Sequence, residues 1–431
     1  VIINTKRGAS GKAKINFDTY YGTQSVIKKP EFMNANQQAN YYYNSIRNIN
    51  LDLGNNVSGD PSTWAKKVPQ TVLDVISGKN TNDVSALDAV LRTAPQQSYN
   101  LSISGGNEAV RYALSGEYFN QDGIILNSNF KRYSVRANFD AQLTKRLLVR
   151  VNLNPSYIVN NNVIAQGGGA GASTSIIGSA TSAQPYYPLY NPDGSYFTYQ
   201  NIDASTDLYN PLALALEKKD VSSRTRILAN ASAEYKILEG LKLNILLGAT
   251  TNNTKGSSFW PQLPVFLNRA AEGTDFAGAG YNWLAEYTAN FNRSFGKHTV
   301  AALAGYTVQE DVLDENLMSS TNFPNNLVPT LSAVSGIITS GTATRSEWSI
   351  VSQLARVNYS YDGKYLLTAS IRRDGSSRFG ANNKFGVFPS AAVAWRVTDE
   401  KFMQNVPLLS LLKLRLSYGK TGNNNIGNYA S

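Results

Sequence analysis

Tyr133-Ser134-Val135-Arg136-Ala137-Asn138-Phe139-Asp140-Ala141-Gln142-Leu143 alternates without a break. Tyr133, Val135, Ala137, Phe139, Ala141 and Leu143 share one parity, and Ser134, Arg136, Asn138, Asp140 and Gln142 share the other. Successive strand side chains point to opposite faces, so all charge in this stretch lies on one side. Its length suits a tilted strand crossing a bilayer, which needs ~9–11 residues. The pattern repeats at 12–22, where Ala13, Ile15, Phe17, Thr19 and Tyr21 oppose Lys14, Asn16 and Asp18. Further runs lie at 97–105, 110–120, 147–160, 224–236, 241–251, 281–295, 298–309, 348–361, 365–372, 387–397 and 412–419. Together they predict roughly thirteen strands.

A soluble β-sandwich alternates too, so the connections decide. Tight turns join every second pair: Gly105-Gly106-Asn107-Glu108, Thr144-Lys145-Arg146, Leu238-Glu239-Gly240, Gly296-Lys297 and Asp362-Gly363-Lys364. Between them run long connections, about 25–96, 161–223, 252–280 and 311–345. Short turns at one end and long loops at the other are the layout of an outer-membrane β-barrel. The first long connection is expected to hold a short helix, with Val84, Leu87, Val90 and Leu91 at helical spacing and Pro95 ending it. Residues 399–411 break the rhythm and suggest a small amphipathic helix at the barrel rim.

Composition agrees. Charged residues are 16% of the chain, well below the ~25% of soluble domains. Asn, Ser, Thr and Gly take their place, as an apolar exterior around an uncharged polar lumen requires. The 25 tyrosines suit a membrane–water boundary, with an apolar ring and a wet tip. No stretch nears the ~18 apolar residues of a spanning helix, so a crossing must be made by strands. The absence of Cys excludes a disulfide framework and thiolate chemistry, and the single His makes a Ser-His triad improbable. The net charge of +10 is spread along the chain and forms no nucleic-acid stripe. An odd, open set of strands would leave two unpaired edges in lipid. The sequence is therefore expected to be a piece of a longer barrel, cut at both ends.

Several segments resemble the SusC/RagA family of TonB-dependent outer-membrane transporters of Bacteroidetes. Val1-Ile2-Ile3-Asn4-Thr5-Lys6-Arg7-Gly8 resembles the last strand of that family's plug and its exit into the barrel. Arg92-Thr93-Ala94-Pro95-Gln96-Gln97, running into Asn100-Leu101-Ser102-Ile103-Ser104-Gly105-Gly106, resembles the second-strand signature, and Phe119–Ile125 with Phe130–Tyr133 the next hairpin. The most specific likenesses are Arg372-Arg373-Asp374-Gly375-Ser376-Ser377-Arg378-Phe379-Gly380 with Phe388-Pro389-Ser390-Ala391, and Leu412–Gly419 with Thr421-Gly422-Asn423-Asn424. The resemblance implies a barrel of about twenty-two strands filled by an N-terminal plug, of which residues 1–11 would be the plug's end and exit linker. Residues 12–431 would be the N-terminal part of the barrel. It implies TonB, with ExbB and ExbD, as the energy source and outer-membrane lipid as the solvent of the wall. A SusD-like lipoprotein would cap the mouth, in a dimer of transporter–lipoprotein pairs. The function implied is import of a nutrient ligand, an oligosaccharide or peptide; the alternative is a non-transporting SusC-like barrel acting as a scaffold subunit of an envelope complex.

Candidate residues follow from chemistry. Tyr186, Tyr187, Tyr190, Tyr196 and Tyr199 crowd one long loop, and Tyr41, Tyr42 and Tyr43 another. Aromatic faces stack on sugars and peptide side chains, but these rings could equally pack the loops. Glu310, Asp311, Asp314 and Glu315 are dense enough for rim Ca²⁺, although they lack the spacing of a calcium loop and read more simply as a solvated acidic loop. Arg373, Asp374 and Arg378 suggest a charged network holding a loop tip. His298 follows a tight turn with no carboxylate or second His placed to work with it. The glycines at 167–171 lack the Lys-Ser/Thr of a phosphate loop. No pair of carboxylates or nucleophile–base set is singled out, so no catalytic residue is expected.

Overall fold

The computed structural model describes residues 7–165, 175–199, 208–266, 269–331, 338–403 and 408–428. Residues 1–6 of the plug-like segment, the glycines at 167–171 and the last three residues lie outside that set. The described residues form one open antiparallel sheet of thirteen strands in sequence order. The strands are β1 (Gly11–Gln24), β2 (Ala94–Gly106), β3 (Val110–Asp122), β4 (Asn129–Gln142), β5 (Leu147–Asn161), β6 (Lys219–Leu238) and β7 (Leu241–Trp260). They continue as β8 (Glu272–Phe295), β9 (His298–Thr321), β10 (Ile338–Tyr361), β11 (Tyr365–Ser376), β12 (Phe385–Arg396) and β13 (Lys413–Gly419). This is part of a transmembrane β-barrel wall, as the alternation predicts.

The faces sort as expected. In β4, Tyr133, Val135 and Phe139 are exposed while Asn138 and Asp140 are buried. Register carries that parity across the sheet. Tyr133 pairs with Tyr118 and Tyr157, and Tyr118 pairs with Tyr99. These four outward rings form a ladder with centroid spacings of 6.2, 5.1 and 6.4 Å. Such a row is an aromatic belt at the loop-side membrane boundary. Tyr359, Tyr361, Tyr365 and Trp395 mark the other boundary, beside the short turns. One of those turns, Tyr361–Lys364, has φ of 53° at Asp362 and 68° at Gly363 and is closed by Lys364 N donating to Tyr361 O at 3.0 Å. Positive φ at both central positions is the primed turn that matches strand twist.

The strands outrun their expected ends. β8, β9 and β10 have 24 residues each, and β6 and β7 have 20 each. The connections expected at 252–280 and 311–345 are therefore mostly strand. Within the alternating stretch 281–295, the part from the Tyr287–Tyr306 row to the short turn is the part that meets lipid. Beyond it both faces meet water, apolar alternation fades, and only the backbone ladder continues. The helix expected at 84–91 is shorter, α3 (Ala86–Val90), and Leu91 ends it by bridging to Ile125. Pro95 instead pairs with Thr23 inside β2. The rim helix expected at 399–411 is replaced in the described part by two 3-10 turns, Val397–Asp399 and Lys401–Met403.

The remaining helices are α1 (Ala35–Asp52), α2 (Gln70–Ile76), α4 (Ile176–Ser182) and α5 (Pro211–Leu216). Among the described residues, all five α-helices sit in the two longest connections, at the long-loop end. Most of the buried apolar side chains collect there, and a smaller group, Phe259, Ala271 and Phe323, packs at the loop-side ends of β7, β8 and β9. A barrel wall turns its apolar face to lipid, so its water-excluding cores must lie in the loops.

Candidate ligand-facing site at the long-loop end

The first long connection is built on α1. Asn34 caps it, accepting from Gln37 N at 2.8 Å while the Gln37 side chain accepts from Asn34 N at 3.1 Å. That reciprocal pair satisfies two donors the first turn would otherwise leave open. Ala35, Ala39, Ile46 and Asn50 form the helix's buried stripe. Asn50 is fully buried; its amide donates to Ile46 O at 3.0 Å and Lys66 O at 2.8 Å, and its oxygen accepts from Lys66 N at 2.9 Å. A buried amide must be satisfied in this way, and it ties α1 to the segment carrying Trp64.

Three of the crowded tyrosines complete this core. Tyr186, Tyr187 and Tyr199 are buried against α1, α2 and Trp64. Tyr187 lies 4.8 Å from Tyr186, 5.5 Å from Phe197 and 6.2 Å from Tyr199, between ring centroids. Burial pushes the Tyr199 phenol up from its ordinary value. Packing rather than an open surface is therefore what these three rings provide. Tyr190 and Tyr196 differ. They stack at 5.4 Å, Tyr190 is 45% exposed, and the Tyr196 hydroxyl donates to Glu217 at 2.8 Å. Desolvation, and then Glu217, raise the Tyr196 phenol. Of the first loop's tyrosines, Tyr43 packs on Trp64 at 5.7 Å and Tyr41 is exposed.

Asn210 joins the two halves of the second connection. It is fully buried and caps α5, accepting from Leu212 N at 3.0 Å and Ala213 N at 3.2 Å. Its amide donates to Leu189 O at 2.8 Å and Phe197 O at 3.1 Å. Pro211 follows at the first helical position, where a missing N–H costs nothing. Asn210 lies outside the candidates that composition points to, although Asn-Pro before an apolar run is a helix-start signal. A second core packs α3, α4 and α5 against Trp260 and Phe266. Lys218 Nζ and the Arg269 guanidinium lie 4.9 and 4.6 Å from the Trp260 ring centroid. Desolvation holds the Lys218 amine below its ordinary range.

Below the loops the inward wall is polar. Glu117 accepts from Arg132 at 2.9 and 3.0 Å and from Ser134 at 3.2 Å. Asn152 donates to Asn230 at 2.5 Å. Among the described residues, Arg136, Arg224 and Arg226 on this face pair with no carboxylate. Arg7 reaches the wall and pairs with Asp140. At Gly8 a Cβ would collide with the Tyr112 backbone, so only glycine lets the entering chain lie this close to β3.

The remaining candidates are placed apart. Glu310, Asp311, Asp314 and Glu315 lie inside β9 and not in a loop. Glu310 accepts from Trp283 Nε1 at 3.1 Å, Asp311 from Asn282 at 3.0 Å, and Asp314 pairs with Arg345 at 3.3 Å. Glu310 and Asp314 face outward and Asp311 and Glu315 inward, because strand parity separates them. Nor do Arg373, Asp374 and Arg378 form one network. Asp374 pairs with Arg372 on the inward face at 2.7 Å. Arg373 faces outward over Phe385, and Arg378 lies over Trp348 while donating to Asn428 at 2.8 Å. His298 starts β9 with Nδ1 2.6 Å from the Tyr359 hydroxyl. The arrangement offers walls, loops and aromatic edges for holding a ligand and, among the described residues, brings together no nucleophile and base.

Comparison with known proteins is consistent with these features. Residues 166–431 match the family model of the TonB dependent receptor-like β-barrel. TonB-dependent receptor P3 of Formosa agariphila is 31% identical over 445 residues, covering 100% of this chain and 40% of the relative. SusC of Bacteroides thetaiotaomicron is 26% identical over 453 residues, covering 99% of this chain and 41% of the relative. The chain thus spans about two-fifths of the length of these relatives. The RagAB peptide importer in its closed-closed state superposes with a TM-score of 0.78 at 25% identity, covering 99% of this chain and 49% of that one.

Proposed function

The chain belongs to the TonB-dependent receptor family, within its SusC/RagA branch, and on that premise we propose that it forms the first strands and capturing loops of an outer-membrane nutrient importer. It is a transporter part and not an enzyme. The observation that carries this reading is the division of the sheet: apolar and aromatic outside, polar inside, with both aromatic-cored loop clusters at one end. A ligand of the oligosaccharide or peptide class would settle above the lumen against the Tyr190–Tyr196 pair. A plug upstream of Arg7 would close the lumen against the cations of the inner wall. TonB, with ExbB and ExbD, would pull on that plug and let the ligand pass. Ile27, Phe32, Met33 and Tyr41 are exposed on the first long connection. An apolar group of that kind on a wet surface suits a partner, and a SusD-like lipoprotein is the partner proposed. Dimerisation of transporter–lipoprotein pairs belongs to the same reading.

The test uses the full-length protein in its own outer membrane. Cells with and without it are fed defined pools of oligosaccharides and of peptides, with and without the proton gradient. Gradient-dependent loss of one pool from the medium, only when the protein is present, is expected. Equal uptake in both strains, with the barrel assembled, would instead favour the scaffold role.

A further inference from the structure

Outward on β7–β12 the sheet carries a groove of about 690 Å³. Register explains it. Ala289, Ala304 and Ala355 stand side by side on three adjacent strands, so the floor is methyl groups. Leu243 and Ile245 wall one side, and Ile371 and Val387 the other. In the next outward row toward the loops, Tyr287 pairs with Tyr306, Tyr306 with Gln353, and Gln353 with Arg373. The groove is thus apolar below and polar at its loop-side end.

Arg373 is the unusual member. Its guanidinium lies 4.1 Å from the Phe385 ring centroid and donates to Gln353 at 3.4 Å. Among the described residues no carboxylate pairs with it, whereas its neighbour Arg372 pairs with Asp374 on the opposite face. Eight residues separate it from Tyr365 in the other aromatic boundary. At ~3.3 Å per residue and a tilt of ~40°, that is roughly 20 Å along the membrane normal. The apolar band of such barrels is ~25 Å tall, so Arg373 stands at its outer edge, where a cation is tolerated. Guanidinium binds phosphate through parallel hydrogen bonds, and a site beside lipid tails is where a phosphorylated headgroup would lie.

We infer that this groove holds one phosphorylated lipid of the outer leaflet, with an acyl chain in the alanine trough and its phosphate on Arg373 and Gln353. The inference rests on the outer-membrane reading above.

The full-length protein, stripped of co-purifying lipid in detergent, is titrated with bis-phosphorylated lipid A, with its dephosphorylated form and with phosphatidylethanolamine. Adducts are counted by native mass spectrometry. One lipid A adduct is expected at low excess. Arg373→Gln should weaken it at least tenfold, and Ala304→Leu with Ala355→Leu, which fill the trough, should do the same. Arg293→Gln should leave it unchanged, since Arg293 lies over Phe295 at the opposite boundary. Heat-modifiable gel mobility checks that every variant is assembled. Equal binding by Arg373→Gln, or equal binding of the dephosphorylated lipid, overturns the inference. So does a change in oligomer mass without a change in lipid, which would place a second copy in the trough. Failure of the protein to reach the outer membrane would instead overturn the functional reading, and the localisation of wild type reports that separately.

Discussion

Replacing Asn210 should open the loop cluster without dismantling the barrel, and two substitutions separate the causes. Asn210→Ala removes the cap of α5, a loss of ~1 kcal/mol. It also leaves the Leu189 and Phe197 carbonyls without their donor in a dry interior, at ~1–3 kcal/mol each. The sum is about 3–7 kcal/mol, confined to the segments the side chain joins. Asn210→Asp keeps the accepting oxygen and the bonds from Leu212 and Ala213. It places a carboxylate against the two carbonyls that now receive the amide at 2.8 and 3.1 Å. If the cap mattered most, Asp would be nearly harmless; if the bridge matters most, Asp is as damaging as Ala or worse. The geometry favours the bridge, because four bonds meet at one fully buried side chain. Hydrogen exchange on the full-length protein reads this directly. Amides in 189–197 and 212–216 should exchange at least a hundredfold faster in both variants, at ~1.4 kcal/mol per decade. Amides in the strands should not change. Unchanged protection in both variants, or uniform loss through the strands, would refute the reasoning.

Other perturbations follow from the same geometry. Leu247 faces lipid and Leu246 faces the lumen opposite Glu286, so Leu247→Lys should cost ~2–4 kcal/mol if near mid-membrane and lower the heat-modifiable fraction, while Leu246→Lys gains an acidic neighbour and should assemble normally. Tyr186→Ala should destabilise the loop core by ~3–5 kcal/mol, seen as faster proteolysis of the loops, whereas Tyr190→Ala loses one exposed stack of ~0.5–1.5 kcal/mol and should lower capture from oligosaccharide or peptide pools several-fold with no change in proteolysis. At the short-turn end, hydrogen bonds from Tyr365 and Trp395, and then Lys364, hold the Glu400 carboxyl below its ordinary value. A depressed carboxyl stabilises the fold above its unfolded value of ~4.3 and loses that stabilisation as pH falls through the lower folded value. Exchange at 395–400 should therefore accelerate only in that acidic window, and Glu400→Gln should remove the acid dependence.

The wall was legible in the sequence because lipid imposes a rule on each residue of one face. Between Tyr133 and Leu143 a single slip in register would turn Arg136 and Asp140 into lipid, so the alternation has to be kept. Above the membrane that constraint lapses. In β8, Gly273, Asp275, Ala277 and Ala279 lie on the outward face and carry no apolar signal, so the first half of the strand reads as loop. The same lapse made Glu310 to Glu315 look like a loop. Their acidity marks strand that has left the lipid, and the partners Trp283, Asn282 and Arg345 come from neighbouring strands that no local reading brings near.

The loop site was harder to read for a different reason. Its aromatic composition pointed to the right place but not to which rings stay accessible. Tyr186 and Tyr190 are four positions apart in the same loop, yet one is 1% and the other 45% exposed. What separates them is contact with α1, about 140 residues earlier in the chain, and α1 has no strong apolar period because Asn50 takes a core position. A buried amide with its hydrogen bonds satisfied looks, in sequence, like any surface asparagine. Asn210 hides in the same way, except that Pro211 gives it away. In a protein whose wall shows its apolar side to lipid, the packed interior moves into the loops. There polar side chains that bridge distant segments do the joining, and distant pairing is what single-sequence periodicity cannot see. Arg372, paired with Asp374, and Arg373, with no carboxylate partner among the described residues, make the same point on adjacent residues: parity separates a structural cation from one that faces lipid.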